Sequence, residues 1–165
     1  MTHALARWDQ QIEVLAQALL GRGWRLATAE SCTGGLIAAA CTSIAGSSDW
    51  FERGFVTYSN EAKTGMLGVA AALIARHGAV SAQVARAMAE GALAQSPADL
   101  AVAVTGIAGP SGATPGKPVG TVWLALARRG EPSQATLLQL TGSRSEVREQ
   151  TVDRALRWVI AAVTA

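Results

Sequence analysis

The sequence predicts a single α/β domain over residues 1–165, built on a mixed β-sheet that helices cover on both faces. The length of 165 residues is enough for one domain and too short for two of ordinary size. Half of the residues are apolar and 16% are charged, so the chain can bury a core. Segments with helical periodicity alternate with short apolar segments, and two β-compatible segments follow each other late in the chain.

The first element is predicted as a helix, because apolar residues recur at intervals of three and four: Leu5, Trp8, Ile12, Leu15 and Leu19. Gly21 and Gly23 end this helix. Residues 24–29 are typical of a strand, and the next segment turns into an Ala-rich helix that ends near Gly46. A Ser-rich loop then leads to a second strand over residues 54–58.

The second half is predicted as two short helices (60–67 and 70–77), a helix from the N-cap Ser81 to about residue 95, a buried strand (100–104), a Gly- and Pro-rich loop (106–118), two strands (119–127 and 134–140) and a last helix. Ser145 is the predicted N-cap of the last helix. Its buried face should carry Val147, Thr151, Ala155, Trp158 and Val159. Trp50 and Phe51 lie in a loop-like segment and leave two alternatives open, a protein interface or part of the core. A homodimer is possible.

The composition argues against several classes of protein. A formal net charge of +2 argues against a dedicated nucleic-acid binder. Charged residues occupy the N-terminus where a secretory signal needs an apolar stretch, and no apolar run of about 18 residues predicts a membrane span. Cys32 and Cys41 would lie roughly 13 Å apart on one helix, too far for a disulfide. The sequence contains no CxxC, HExxH or Cys/His cluster, so it predicts no metal site. From these exclusions together we expect a soluble cytoplasmic protein.

The basic residues are strongly skewed, because 12 of the 14 are Arg and only Lys63 and Lys117 are Lys. Tyr58 is the single Tyr, and His3 and His77 are the two His. His3 falls in a terminal segment, and His77 precedes a Gly at a helix end, where a cation stabilises the helix without a catalytic role. A Ser-His-Asp triad therefore lacks a well-placed base.

The segment TAESCTGG, residues 28–35, is a candidate nucleophile site at a strand-to-helix turn. Backbone N–H groups converge at such a turn and suit both an attacking hydroxyl of Ser31 and a developing oxyanion. Cys32 is the rival nucleophile, since a helix N-terminus would lower the pKa of its thiol. The alternative is structural: Ser31 or Thr33 caps the helix, the glycines serve packing, and Cys32 is a small buried residue.

The segment YSNEAK, residues 58–63, brings the single Tyr and one of the two Lys within five residues of each other. A desolvated Lys63 can act as the base of a Ser-Lys pair, with Tyr58 relaying a proton or donating a hydrogen bond. The alternative is a half-buried Tyr58 beside a solvated Lys63.

Two further segments are candidates for ligand binding. The loop TGIAGPSGATPGKPVG, residues 105–120, carries glycines that allow close approach to a phosphate, a ribose or an amide, although it matches neither a P-loop nor a dinucleotide fingerprint. In TGSRSEVR, residues 141–148, Arg144 lies just before the predicted helix and Arg148 one turn inside it. The pair suits a bound anion; the alternative is a solvated pair offset by neighbouring Glu residues.

The ordered segments AESCTGG, YSNEAK, AVTGIAGPSG and KPVGTVW resemble the C-terminal domain family of the competence-damage-inducible protein CinA, from about Leu5 to the C-terminus. The resemblance implies a three-layer α/β/α sandwich with a mixed, mostly parallel sheet. It also implies an amidohydrolase, without metal or cofactor, that converts nicotinamide mononucleotide to nicotinate mononucleotide and ammonia in pyridine-nucleotide (NAD) salvage. Since the chain has no room for the N-terminal domain that many members carry, we expect the stand-alone form.

By motif, the resemblance implies that Ser31 is the nucleophile, that Lys63 is its general base and that Tyr58 assists proton transfer. The residues placed in the substrate pocket are Glu30, Thr33, Gly34, Thr105 and Gly106, and we expect Arg144 to contact the phosphate. Ser111 and Ala113 stand where the family loop is richer in Gly, which leaves the ligand contacts of that loop open. A non-catalytic nucleotide-binding or partner-docking module of the same fold is the alternative.

Overall fold

One β-sheet forms the middle layer of the described chain. In this sheet the second strand lies on one side of the first strand, and the third strand lies on the other side. The structure, a computed structural model, describes residues 4–165, and over this range one five-stranded sheet runs in the order β2-β1-β3-β4-β5. The strands are β1 (Leu26–Glu30), β2 (Phe51–Val56), β3 (Leu100–Gly106), β4 (Thr121–Arg128) and β5 (Gln134–Gln139). The first three pair in parallel and β4 is antiparallel to both neighbours, so the predicted mixed, mostly parallel sheet is confirmed.

Helices cover both faces of this sheet, as expected for a three-layer α/β/α sandwich. They are α1 (Asp9–Arg22), α2 (Leu36–Cys41), α3 (Asn60–Leu67), α4 (Ala71–His77), α5 (Ala82–Ala94) and α6 (Arg144–Thr164), with short 3-10 turns at Ala6–Trp8 and Ser47–Asp49. Residues of α1, α2 and α6 share one apolar cluster with one sheet face, and those of α3, α4 and α5 share a second cluster with the other face. Within residues 4–165, no helix is both long and apolar enough to cross a membrane.

Two kinds of side chain alternate along the strands and set the spacing of the layers. Leu26, Leu100 and Val102 face α1 and α6, whereas the alternate positions facing α5 are alanines: Ala27, Ala29, Ala101, Ala103, Ala125 and Ala127. Successive residues of a strand point to opposite faces, so this period of two gives one bulky and one flat face. The flat face lets α5, itself rich in Ala, pack close to the sheet. The Ala-rich composition therefore has a direct structural use.

The last helix begins earlier than predicted, because Ser143 rather than Ser145 is its N-cap. The hydroxyl of Ser143 accepts from Glu146 N at 3.3 Å, and the Glu146 carboxylate accepts from Ser143 N at 2.6 Å. This reciprocal capping box matches the sequence pattern Ser-x-x-Glu, a signal that was available in residues 143–146. Arg144 is consequently the first residue of α6 rather than the residue before it, and Trp158 is only half-buried.

The second predicted helix and strand also have different bounds. Helix α2 stops at Cys41 because the hydroxyls of Thr42 and Ser43 bond back to helix carbonyls instead of extending the helix. Strand β2 starts at Phe51, three residues early, since an edge strand tolerates the exposed charges that made this stretch look like a loop. Trp50 is 1% exposed and belongs to the core, so of its two alternatives the interface is wrong.

Candidate active site

Three parallel strands end at one edge of the sheet, and a pocket of about 280 Å³ lies there. In such sheets ligands bind beyond the carboxyl ends of the strands, where connections leave to opposite faces. Here α2 follows β1 on one face, and α3 to α5 follow β2 on the other. The pocket is lined by Ser31, Tyr58, Lys63, Thr105, Gly106 and Arg144, among others. A larger cleft of about 690 Å³ along α6 contains none of the candidate nucleophiles.

Ser31 follows directly on β1 and its backbone is anchored on both sides. Its N–H donates to Val104 O at 3.0 Å, which continues the pairing with β3, and its carbonyl accepts from Gly34 N at 3.0 Å. Gly34 and Gly35 have φ of +59° and +96°, a left-handed backbone that lets the chain turn within two residues before α2 starts. The side chain of Ser31 is 8% exposed and lines the pocket.

Lys63 reaches Ser31 from the opposite layer. Ser59 caps α3 by accepting from Ala62 N at 3.0 Å, which places Lys63 one turn into the helix with its side chain 1% exposed. Its Nζ lies 3.1 Å from Ser31 Oγ, 2.8 Å from Thr57 O and 3.2 Å from Tyr58 O. Burial lowers the pKa of Lys63 from its ordinary value of 10.5, because the ammonium ion loses its hydration.

Cys32 is next to Ser31 in sequence, and its environment opposes ionisation of the thiol. The side chain is 5% exposed, and burial raises the pKa of the thiol to about 11. The expectation that the turn would lower this pKa is wrong, because the loss of hydration outweighs the backbone N–H and nearby cations. Cys41 is also buried, and neither cysteine forms a disulfide. Burial therefore disfavours the thiolate of Cys32, whereas the Ser31 hydroxyl has Lys63 Nζ beside it.

Tyr58 and Arg144 meet at the rim of the pocket. Arg144 donates from Nη2 to the Tyr58 hydroxyl at 3.0 Å and from Nη1 to Gly109 O at 2.9 Å, so it bridges the segment after β2 and the loop after β3. The Tyr58 ring is 60% exposed. It is the backbone carbonyl of Tyr58, and not its hydroxyl, that contacts Lys63.

Glu30, Thr33 and Gly34 do not line the pocket, although the resemblance placed them there. The Glu30 side chain is fully buried and accepts from Thr33 Oγ1 at 2.6 Å, Ile37 N at 2.8 Å and Ala38 N at 3.0 Å. Its carboxylate thus caps the first turn of α2 from β1, where the helix dipole favours a negative charge. Thr33 is also fully buried, as a partner of Glu30.

Thr105 and Gly106 line the same pocket as Ser31 and Lys63, and their contact with the substrate stays a prediction. Thr105 Oγ1 donates to Ala79 O at 2.9 Å, which holds the segment between α4 and α5 against the end of β3. Val104 O accepts from Ser31 N, so this edge of β3 faces Ser31. Residues two apart on a strand direct their backbone groups to the same side, so the N–H of Gly106 lies on the β1 side of β3.

Two basic residues, Arg148 and Lys117, lie outside the pocket wall and hold neighbouring segments through backbone carbonyls. Arg148 on α6 donates to Cys32 O at 3.1 Å and to Thr33 O at 3.0 Å, a contact that the anion-binding interpretation of residues 141–148 did not foresee. Lys117 donates to His77 O at 3.3 Å and so ties the Gly/Pro loop to the end of α4. His3 lies outside the described residues. In the described part of the chain, no three His, Cys, Asp or Glu side chains group together in a way that could hold a metal ion.

Comparison with known proteins identifies relatives along most of this chain. The sequence model of a family described as "CinA C-terminal domain" matches residues 9–163. The putative competence-damage inducible protein of Symbiobacterium thermophilum is 54% identical over 155 residues, and the match covers 89% of this chain but 36% of that relative. The nicotinamide-nucleotide amidohydrolase PncC of Escherichia coli is 52% identical over 148 residues, which is 90% of each chain.

Solved structures share the fold. The crystal structure of a CinA superfamily protein from Klebsiella pneumoniae superposes with a TM-score of 0.91 at 40% identity and covers 94% of this chain and 97% of its own. A competence/damage-inducible protein from Agrobacterium tumefaciens gives a TM-score of 0.87 at 48% identity, over 94% of this chain and 96% of its own.

Proposed function

Because this chain belongs to the CinA C-terminal domain family, as its motifs predicted, we propose that it is a nicotinamide-nucleotide amidase. The reaction is hydrolysis of the carboxamide of nicotinamide mononucleotide to nicotinate mononucleotide and ammonia. The relative PncC, named for an amidohydrolase activity on nicotinamide nucleotides, supports this substrate at 52% identity. The observation that carries the proposal is the 3.1 Å contact between Lys63 Nζ and Ser31 Oγ in the pocket.

In the first step Ser31 Oγ attacks the carboxamide carbon and Lys63 Nζ takes the hydroxyl proton. This requires a neutral amine, which the lowered pKa of Lys63 favours. A neutral amine has two N–H groups and one lone pair. The carbonyls of Thr57 and Tyr58 accept the two N–H groups, so the lone pair faces Ser31. We assign Lys63 as the general base on this arrangement.

The tetrahedral intermediate carries an oxyanion that needs hydrogen-bond donors. The N–H of Gly106 is aimed along the correct edge of β3 and is the donor we propose, together with the backbone of the turn after Ser31. The C–N bond then breaks, and Lys63 returns the proton to the leaving nitrogen, which departs as ammonia. Water attacks the resulting ester, its proton goes to Lys63, and the proton returns to Ser31 Oγ as the carboxylic acid leaves.

The nucleotide end of the substrate fits the rim of the pocket. Arg144 offers a guanidinium fork, which suits a phosphate, and it is already held beside Tyr58 and Gly109. We propose that the phosphate takes over these hydrogen bonds and that the Tyr58 hydroxyl contributes one. The Tyr58 hydroxyl is hydrogen-bonded to Arg144 and does not contact Lys63. The role in proton transfer expected for Tyr58 therefore stays a prediction.

The cellular setting is part of the same proposal. Pyridine-nucleotide salvage in the cytoplasm is consistent with two unpaired cysteines, which a reducing compartment keeps as thiols. The small-molecule substrate is the partner we propose. Ser31, Lys63 and Arg144 line the same pocket of one chain. A homodimer stays a prediction that analytical ultracentrifugation tests.

The purified chain with nicotinamide mononucleotide tests the proposal directly. We expect release of ammonia and nicotinate mononucleotide in equal amounts, measured by a coupled ammonia assay and by chromatography. Ser31→Ala and Lys63→Ala should abolish release and keep the circular dichroism spectrum of the wild type. The Ser31→Ala variant turning over at the wild-type rate would overturn the assignment.

A binding module is the second reading that this experiment separates. The same fold could hold a nucleotide without hydrolysing it, and then calorimetry would detect binding while no ammonia appears. The proximity of Ser31 and Lys63 and the lowered pKa of Lys63 favour the enzyme, since a binding site has no need of a buried amine beside a hydroxyl.

A further inference from the structure

The turn that follows the nucleophile is held from outside by one side chain. Arg148 extends from the second turn of α6, 116 residues away in sequence, and its Nε donates to Cys32 O at 3.1 Å. Its Nη2 donates to Thr33 O at 3.0 Å. A guanidinium is planar and rigid, so two bonds from one fork to consecutive carbonyls fix both the position and the orientation of that backbone.

These two hydrogen bonds fix the carbonyls of Cys32 and Thr33, which have fewer other hydrogen-bond partners than the backbone of Ser31. The peptide between Ser31 and Cys32 is held by Gly34 N, which donates to Ser31 O. The next peptide, between Cys32 and Thr33, has its carbonyl on Arg148 Nε. The following carbonyl, that of Thr33, accepts from both Leu36 N and Arg148 Nη2. Because peptide groups are planar, fixing each carbonyl also fixes the N–H at its other end.

The turn needs such an anchor because its own sequence is permissive. Gly34 and Gly35 adopt positive φ and have no side chain that packs against the fold. The backbone of Ser31 is bonded to Val104 O and Gly34 N, and its hydroxyl lies 3.1 Å from Lys63 Nζ. The turn that follows it has little stiffness of its own. The positive charge of Arg148 adds a second effect, because it polarises the peptide groups it binds and stabilises negative charge developing nearby.

We infer that Arg148 is a positioning residue for the Ser31 nucleophile, acting through the Cys32 and Thr33 carbonyls. The inference rests on the proposed function, since it assigns to Arg148 a role in that same reaction. Arg148 does not line the pocket, so it differs from Arg144, which we place on the substrate. Its loss should reduce the rate of attack by Ser31 and leave substrate binding nearly unchanged.

The kinetic test compares Arg148→Ala with Arg154→Ala, an exposed arginine on the same helix, and with Arg148→Lys. Misplacing a reacting atom by about 1 Å costs on the order of 100-fold in rate. We therefore expect kcat of Arg148→Ala to fall about 100-fold with KM within threefold of wild type, and Arg154→Ala to stay within twofold. Arg148→Lys should recover only part of the rate, because an ammonium cannot span both carbonyls. Added ethylguanidine should restore the rate of Arg148→Ala, a rescue that a mere loss of folded protein would not give.

A second readout keeps this inference separate from the choice of substrate. Acylation of Ser31 by p-nitrophenyl acetate, followed by mass spectrometry with Ser31→Ala as the blank, needs the nucleophile but no nucleotide. Slower acylation in Arg148→Ala, by about 100-fold, supports the inference even if wild-type enzyme releases no ammonia from nicotinamide mononucleotide. Equal acylation rates in wild type and Arg148→Ala, or an equal loss in Arg154→Ala, would overturn it. Absence of Ser31 acylation in the wild type would overturn both the nucleophile and the positioning role.

Discussion

Replacing Glu30 distinguishes a helix cap from a substrate contact. In the structure the carboxylate accepts three hydrogen bonds of 2.6–3.0 Å, from Thr33 Oγ1, Ile37 N and Ala38 N, and is fully buried. A hydrogen bond to a charged group contributes about 1.5–3 kcal/mol, and a buried donor left without a partner costs about 1–3 kcal/mol. We therefore expect Glu30→Ala to lower the free energy of unfolding by about 4 kcal/mol.

The isosteric variant Glu30→Gln sharpens the test. Its amide oxygen can still accept two of these bonds, but its NH2 group then faces another donor, so we expect a loss of about 2 kcal/mol. Glu149→Gln is the matched control, because Glu149 is an exposed glutamate paired with Arg7 and should cost less than about 1 kcal/mol. Urea unfolding followed by circular dichroism measures all three values, and steady-state kinetics on Glu30→Gln gives KM.

The two roles of Glu30 give opposite results. As a cap, Glu30→Gln lowers stability and leaves KM near the wild-type value. As a substrate contact, it would raise KM about tenfold or more, the loss of one charged hydrogen bond, and leave the free energy of unfolding within about 0.5 kcal/mol. The second pattern would refute the assignment of this carboxylate to α2.

Four further predictions concern the pocket and its surroundings. Since burial lowers the pKa of Lys63 below 10.5, kcat/KM should rise tenfold per pH unit up to that pKa and then level off. Between the lowered pKa and 10.5, the unfolded chain binds one proton at Lys63 that the folded chain does not bind. The free energy of unfolding should therefore also rise with pH in this window. Lys63→Met should remove that rise, which urea titrations at several pH values measure. Cys32→Ala should keep kcat within about threefold, because a thiol with a pKa of about 11 is not the nucleophile; a complete loss of ammonia release would contradict this. Lys117→Ala removes the bond to His77 O and should raise KM about fivefold, which corresponds to one ordinary hydrogen bond, whereas an unchanged KM would show that this tie does not shape the pocket.

The sequence predicted the order of helices and strands because that order depends on local patterns. The spacing of apolar residues gave α1, and Ser81 was recognised as the cap of α5, where it accepts from Val84 N. The predicted start of α6 was wrong because a second residue of a capping type lies nearby. Ser143 and Ser145 are both caps by residue type, and only the Glu three residues after Ser143 distinguishes them.

The site was predictable as a set of residues and not as a set of contacts. Ser31 and Lys63 were nominated by motif, and their 3.1 Å contact agrees with that pairing. The role of Glu30 as a cap of α2 could not be predicted from the sequence, because it depends on β1 ending beneath the first turn of that helix. Arg148 was visible as a cation near Arg144, but which backbone it would meet depends on how α6 packs on the opposite end of the chain. Contacts of long sequence separation need the fold, and the local pattern does not contain it.

The pairing of Lys63 with two backbone carbonyls explains how this site can work without histidine. In a Ser-His-Asp triad the carboxylate fixes which imidazole nitrogen faces the serine. In the mechanism we propose, Thr57 O and Tyr58 O do the equivalent for a neutral amine, because they accept its two N–H groups and leave the lone pair toward Ser31. Carbonyls carry only partial charge, so they favour the ammonium form of Lys63 less than a carboxylate partner would. Among residues 4–165 no carboxylate is hydrogen-bonded to Lys63, and burial therefore controls its charge. Burial favours the neutral amine and the two carbonyls orient it, and the proposed role of Lys63 as a base requires both.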